Sequence, residues 1–353
     1  TFPFQSQPDF LFERTKETLG LLYDMHWPHR QYATSRNVRL SPLHRTTSQL
    51  GAVMGELAGW ERPNWYAENE PAEYQYTYGK PNWFEACQRE CDAIANHVAL
   101  FDQSSYPIFY VAGPQALSCI QHICSNNVDV AFGKIVYTQW LNADGGIEAD
   151  VTVTRLASDR FMIVSACISE RRDWFWLRKR SARFDCAISK DEGTAIIGVM
   201  GPKSSKLLKV ICDQAERVER LGYYESDLLC SGALEFRANR LSYVGELGYE
   251  LYVRSQDAQT LWQRLWQAGA PLSIRAAGFH AMNACRMEKG YRHWGDDIHD
   301  HITPLQAGLG FATSKDKVGY LGQQAIDAQR GIQPKRLVSL AIEGDDAPFM
   351  LHD

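Results

Sequence analysis

The chain has 353 residues, 45% hydrophobic and 22% charged, with a formal net charge of −5. This excludes a disordered, fibrous or coiled-coil protein, and a net negative chain has no positive field to draw it onto nucleic acid or an anionic membrane. No apolar run approaches the roughly 18 residues of a membrane span, so a soluble chain of two or three domains is expected.

In chain order, the first seventy or so residues are rich in Pro, Arg, His and aromatics. Residues 9–24 read as a helix that Pro28 ends, followed by an extended strap with little core of its own. The chain becomes regular at Trp83, with a helix over 83–97, an alternating strand over 102–111 and a second helix opened by Gly113-Pro114 and running to Ile123. Residues 135–141 and 149–156 are β-rich and flank Asn142-Ala143-Asp144-Gly145-Gly146, which predicts a hairpin. A strand over 161–166 and a helix over 169–181 follow. Val199-Met200-Gly201-Pro202 then echoes Val111-Ala112-Gly113-Pro114, and each copy leads into an amphipathic helix. Two related α+β halves are therefore expected. The second half continues with strands over 234–243 and 249–253, a helix over 255–268 capped by Ser255, and a helix over 276–289 closed by Gly290.

The nine cysteines include no C-x-x-C pair and no zinc spacing. Buried reduced thiols are expected, in a reducing compartment such as the cytoplasm or the mitochondrial matrix. The chain opens on Thr1 without a signal-like segment and stops soon after a strand-like run, 337–342. A strand without a partner reads as an interrupted domain, so a fragment of a longer polypeptide is expected.

Three segments combine polar groups with special backbone residues. In residues 144–150, Asp150 begins a strand whose Thr152 and Thr154 share its face. A matching register would bring Tyr137 and Gln139 alongside. A carboxylate beside a phenol and an amide can orient an amine; a solvated acidic turn is the plainer reading. In residues 242–250, Glu246 lies between Gly245 and Gly248, placed to accept two N–H bonds from an amino-pyrimidine edge or simply to charge a hairpin tip. In residues 285–298, Arg286 can meet a ligand carboxylate or an internal partner. The run from His293 to His301 lacks a helical His pair or any thiolate, so no metal site is expected. No dinucleotide fingerprint, P-loop or nucleophile elbow is present.

The segments Gly59-Trp60-Glu61-Arg62-Pro63-Asn64-Trp65, Val136-Tyr137-Thr138, 141–150, Val244-Gly245-Glu246-Leu247-Gly248-Tyr249-Glu250-Leu251, Met287-Glu288-Lys289-Gly290-Tyr291-Arg292-His293-Trp294 and Thr303-Pro304-Leu305-Gln306-Ala307-Gly308-Leu309 carry a resemblance. Together, over roughly residues 36–342, the chain resembles the folate-binding, aminomethyltransferase-like part of the dimethylglycine and sarcosine dehydrogenase family, itself related to the T-protein of the glycine cleavage system. A pyruvate dehydrogenase phosphatase regulatory subunit shares the body plan.

The resemblance implies an α+β, T-protein-like folate-binding fold of two related lobes with a truncated C-terminal barrel. Its expected boundaries are a strap from an FAD-dependent oxidoreductase domain (1–75), a first lobe (76–190), a second lobe (191–334) and the start of the barrel (335–353). It implies transfer of a methylene group from an N-methyl-amine-derived iminium to tetrahydrofolate, with FAD expected only on a missing N-terminal domain of the same polypeptide or of a partner. It assigns the essential carboxylate to Asp150 and folate contacts to Tyr137, Glu246, Arg286 and Trp294, where the T-protein has a tyrosine in the last place. Ala149 replaces the first acid of the T-protein pair, and Ser165-Ala166-Cys167-Ile168 replaces an Asn-Ala-Ser-Asn strand end, so both of its amides are missing. A flavin-independent folate-dependent demethylase and a non-catalytic regulatory subunit are the alternative readings.

Overall fold

The structure is a computed structural model that describes residues 2–77, 79–332, 335–341 and 343. Helix α1 (Pro8–Gly20) leads to strand β1 (Arg39–Leu40), helix α2 (His44–Gln49) and the hairpin of β2 (Ala52–Leu57) and β3 (Trp60–Tyr66). Helix α3 (Phe84–Asn96), β4 (Val98–Asp102), β5 (Ile108–Ala112), α4 (Ala116–Ile123), β6 (Ile135–Leu141), β7 (Ile147–Ala157), β8 (Arg160–Val164), α5 (Glu170–Ser181) and β9 (Ala187–Asp191) follow. The chain continues through β10 (Thr194–Met200), α6 (Ser204–Ile211), α7 (Ala215–Arg220), β11 (Glu225–Ser231), β12 (Leu234–Arg240), β13 (Gly248–Arg254) and α8 (Ser255–Gly269). It closes with β14 (Ile274–Ala276), α9 (Phe279–Glu288) and α10 (Gln323–Gln329).

Two large sheets carry the fold, ordered β11-β12-β13-β10-β4-β14 and β6-β7-β8-β5-β9. Each has one apolar face covered by helices. Leu207 and Leu208 of α6 and Leu261, Trp262 and Leu265 of α8 pack on Ile197 and Val199 of β10 and Leu251 and Val253 of β13. Ile120 and Ile123 of α4 and Leu177 of α5 pack on Phe109, Val151, Val153 and Ile163. Because side chains alternate along a strand, the residues between these face the other sheet. Ile108, Met162 and Val164 from one sheet meet Ile196 and Tyr252 from the other in a small shared cluster.

The repeated Gly-Pro element is a strand-to-helix turn in both halves. Gly113 after β5 and Gly201 after β10 take φ of 130° and 123°, a region open to glycine at little cost. A Cβ on Gly201 would also lie 2.6 Å from the His97 carbonyl oxygen.

Four expectations change. The strand expected over 102–111 is two strands in different sheets: after β4, Gln103–Pro107 crosses from one sheet to the other, with Asp102 Oδ1 accepting the Ser104 N–H at 3.1 Å. Alternation is the same on both sides of that turn, which hid it. The strap carries a three-stranded sheet, β1-β3-β2, whose hairpin turns through Ala58 and Gly59 at φ of 53° and 82°. Pro63 is tolerated in β3 because the register shifts opposite it, between Val53 and Met54. Ser255 starts α8 but makes no side-chain cap. The run at 337–342 forms no strand over its described residues 337–341; Leu337 N–H bonds the Gln306 carbonyl at 2.9 Å, and no strand pairs with it among the described residues. Ile342 and 344–353 lie outside the described residues.

Candidate functional site

A cavity of about 530 Å³ opens on the seam between the two large sheets, within the usual range for a small-molecule site. Aromatic side chains make most of its wall: Tyr106, Tyr137, Tyr223, Tyr224, Tyr243, Tyr291, Trp294 and Phe311. Two carboxylates reach it from opposite sheets, Asp150 on β7 and Glu250 on β13.

The hairpin register explains Asp150. Gln139 pairs with Asp150 and Tyr137 with Thr152, so phenol, amide and carboxylate share one face while Ala149, Val151 and Val153 enter the core behind. Gln139 Nε2 donates to Asp150 Oδ1 at 2.9 Å. Burial raises the Asp150 carboxyl to about 6, opposed by the Gln139 and Tyr137 hydrogen bonds, which favour the charged form. Burial and the Asp150 charge push the Tyr137 phenol well above its ordinary value, so it stays a proton donor at neutral pH.

Trp294 presents its ring to the cavity. Its indole N–H is already given to the Ile147 carbonyl at 3.1 Å, and the Arg172 guanidinium lies 4.7 Å from its ring centroid. Its part is a fixed apolar wall that ties the 293–301 loop to the first residue of β7.

The other two residues singled out in the sequence do not line the cavity. Glu246 sits beside it and pairs with Lys289 Nζ at 3.3 Å; Lys289 itself is at the wall. Arg286 is buried, with Nε on Asn283 Oδ1 at 2.7 Å, Nη1 on the Tyr291 carbonyl at 3.1 Å and a further ion pair to Asp297. It pins the end of α9 to the loop that carries Tyr291 and Trp294. Among the described residues, no three His, Cys, Asp or Glu side chains gather as a metal site.

Glu250 was not singled out by sequence reasoning. It alternates with Tyr249, Leu251 and Val253, which enter the helix-covered core, and so faces the seam. Burial raises its carboxyl to about 7, opposed by the hydroxyl of Tyr252, which donates to Glu250 Oε2 at 2.5 Å. The readable signal was an acid at an alternate position of a strand apolar on both faces. Gln103 and Tyr106, on the crossover between β4 and β5, also escaped because the crossover did.

Comparison with known proteins places this geometry. Residues 43–317 match the family model described as GCVT N-terminal domain. The chain belongs to that family. Residues 2–41 match a second model, described as FAD dependent oxidoreductase central domain. The chain is 42% identical to 4-methylaminobutanoate oxidase (formaldehyde-forming) of Paenarthrobacter nicotinovorans, over 99% of this chain and 43% of that protein. It is 30% identical to human mitochondrial sarcosine dehydrogenase, over 97% of this chain and 42% of that one. It thus spans less than half the length of these two curated relatives. The glycine cleavage system aminomethyltransferase T of Bartonella henselae has the same fold, with a TM-score of 0.71 at 24% identity over 83% of this chain and 75% of that one. The domain is aminomethyltransferase-like, and these relatives are named as enzymes.

Proposed function

We propose that this domain transfers a one-carbon unit to tetrahydrofolate within an N-demethylating, FAD-dependent oxidoreductase. The observation that supports the reading most is Asp150, a buried carboxylate held by Tyr137 and Gln139 at the wall of an aromatic cavity. The residues suit a reduced folate. Flat aromatic walls stack a heterocycle, and Glu250 offers a buried acceptor opposite Asp150.

The reaction is an addition and elimination. A flavin domain, in the same polypeptide or a partner, would supply the iminium by oxidising an N-methyl amine. Tetrahydrofolate supplies two amine nitrogens that take the methylene carbon; the C–N bond to the substrate nitrogen breaks, and one proton is released. The net change is iminium plus tetrahydrofolate to free amine, 5,10-methylenetetrahydrofolate and a proton. Asp150, largely ionised at neutral pH, stabilises the cation and fixes the attacking amine. The attacking aromatic amine loses its proton easily after addition, so a strong base is not required, and Asp150 acts mainly through its charge. Glu250, with its carboxyl raised to about 7, can hold the far edge of the heterocycle in either protonation state. Without folate, water takes the iminium carbon, and formaldehyde is the product expected of such an enzyme. The amine is an N-methylated amino acid in the reading drawn from the relatives' names.

The test is a titration of the chain with tetrahydrofolate followed by tryptophan fluorescence, because Trp294 lines the site. Saturable quenching is expected. A chain that binds no tetrahydrofolate would overturn the proposal.

A further inference from the structure

The wall of the cavity holds a buried amide that finds no well-formed hydrogen bond among the described residues. Gln103 is 0% exposed, lines the cavity, and has no hydrogen-bond partner for either amide atom among the described residues. The Tyr106 phenol is near enough to feel a weak hydrogen-bonding influence from the Gln103 amide, but the two are not in bonding geometry, and the Tyr106 hydroxyl turns to the Met282 sulfur at 3.6 Å. Leaving a buried amide unpaired is costly, and native proteins rarely do so without a reason.

The backbone around Gln103 is built to hold the amide there. Its N–H bonds the Ile196 carbonyl at 2.9 Å, which fixes the crossover against β10. A Cβ on Gly198 would lie 2.5 Å from Gln103 Oε1, so the amide occupies the space a side chain at 198 would fill. Gly198 is the register partner of Glu250 on β13, and directly paired residues put their side chains on one face, about 5 Å apart. The amide therefore sits beside the Glu250 carboxylate, both at the cavity wall. Asn239 pairs with Glu250 from the other side and is fully buried, and its Oδ1 finds no partner among the described residues.

We infer that Gln103 reads the edge of a flat heterocycle, its amide giving one hydrogen bond and taking one beside the acceptor supplied by Glu250. The ligand class is a fused aminopyrimidinone or a similar ring that carries a donor next to an acceptor. Identifying that ring with the reduced pterin of tetrahydrofolate rests on the function proposed above. A site that hydrogen-bonds its ligand discriminates by the groups left unpaired in its absence, so the amide sets specificity while the aromatic walls supply most of the contact area.

The experiment uses the whole chain and isothermal titration with tetrahydrofolate, comparing the parent with Gln103→Leu and Gln103→Met. Both variants keep the volume and remove the unpaired atoms, so their melting temperatures should equal or exceed the parent's. Their dissociation constants should rise at least tenfold. Parent-like affinity in both variants would overturn the role of Gln103 and leave the folate proposal standing. Parent binding lost altogether would sink the folate proposal instead, and the identification of the heterocycle with it. Variants that melt well below the parent would show that Gln103 is a packing residue and overturn the inference.

Discussion

Gly146→Ala should loosen the candidate site without replacing any residue that lines it. Gly146 ends the turn before β7, and a Cβ there would lie 1.8 Å from the Asp300 carbonyl oxygen and 2.6 Å from its carbon. A comfortable C···O approach is about 3.3 Å, so the 293–301 backbone must retreat by about 1.5 Å. The same backbone is held to this turn by Asn142 Nδ2 on the Asp300 carbonyl at 2.9 Å and by Trp294 Nε1 on the Ile147 carbonyl at 3.1 Å. Both bonds stretch together. An insertion against rigid backbone costs roughly 1–3 kcal/mol, and loss of two partly buried hydrogen bonds adds about 1 kcal/mol each. Destabilisation should therefore reach about 3–5 kcal/mol. Gly145→Ala is the control. Its φ is 82° but its Cβ would meet only the ends of Ile326 and Ala325, at 3.2 and 3.3 Å, so the left-handed backbone costs about 1–2 kcal/mol. Urea denaturation followed by tryptophan emission measures both variants. A Gly146→Ala protein as stable as Gly145→Ala, or more so, would refute the close-approach argument.

Asp150→Asn should keep tetrahydrofolate affinity within a few-fold and slow methylene transfer about a hundredfold, measured as 5,10-methylenetetrahydrofolate formed when the flavin half supplies the iminium; an unchanged rate removes Asp150 from the chemistry. Transfer should also decline below about pH 6, as the carboxyl raised by burial takes up its proton; a flat profile from pH 8 to 5 would contradict this. Burial raises Glu90 to about 8 and Asp173 and Glu250 to about 7. In each case the folded value exceeds the unfolded one, so the folded chain holds more protons and loses stability as pH rises from about 4 to 8, by an amount on the order of a few kcal/mol. Urea midpoints should be higher at pH 6 than at pH 8.5, and the reverse order would show these groups are charged in the fold. Arg286→Leu should cost about 2 kcal/mol by freeing Asp297 and the Tyr291 carbonyl, with folate affinity of the folded protein lowered only a few-fold through the loosened loop; a tenfold affinity loss at full stability would make Arg286 a direct contact.

How far the sequence reaches is clearest at the two carboxylates. Asp150 was legible because everything that positions it is local. A Gly-Gly turn and two alternating strands fix the register, and the register puts Tyr137 and Gln139 beside it. The strand, Gly-Pro and helix repeat was legible for the same reason. Glu250 was not, because glycines draw attention to Glu246, whereas the face of β13 that meets the cavity is decided by a second sheet far away in the chain. The aromatic wall gathers Tyr106, Tyr223, Tyr243 and Tyr291 from four separate segments, and no spacing rule connects them. Arg286 shows the converse: a cation beside a motif was readable, but its engagement with Asp297 and the Tyr291 carbonyl depends on how the following loop folds back.

The seam between the large sheets has a consequence for how such a domain changes over time. Backbone pairing joins the sheets at one edge, through the Lys134–Glu225 bridge, while Ile108, Met162, Val164, Ile196 and Tyr252 space them further in. The spacing of the sheets that carry Asp150 and Glu250 therefore depends on the bulk of a few apolar side chains packed between them. Exchanging Ile196 for valine or Val164 for isoleucine alters the width of the opening and leaves both acids in place. The width of the cavity and the placement of the two acids can thus change independently, each under the control of different residues.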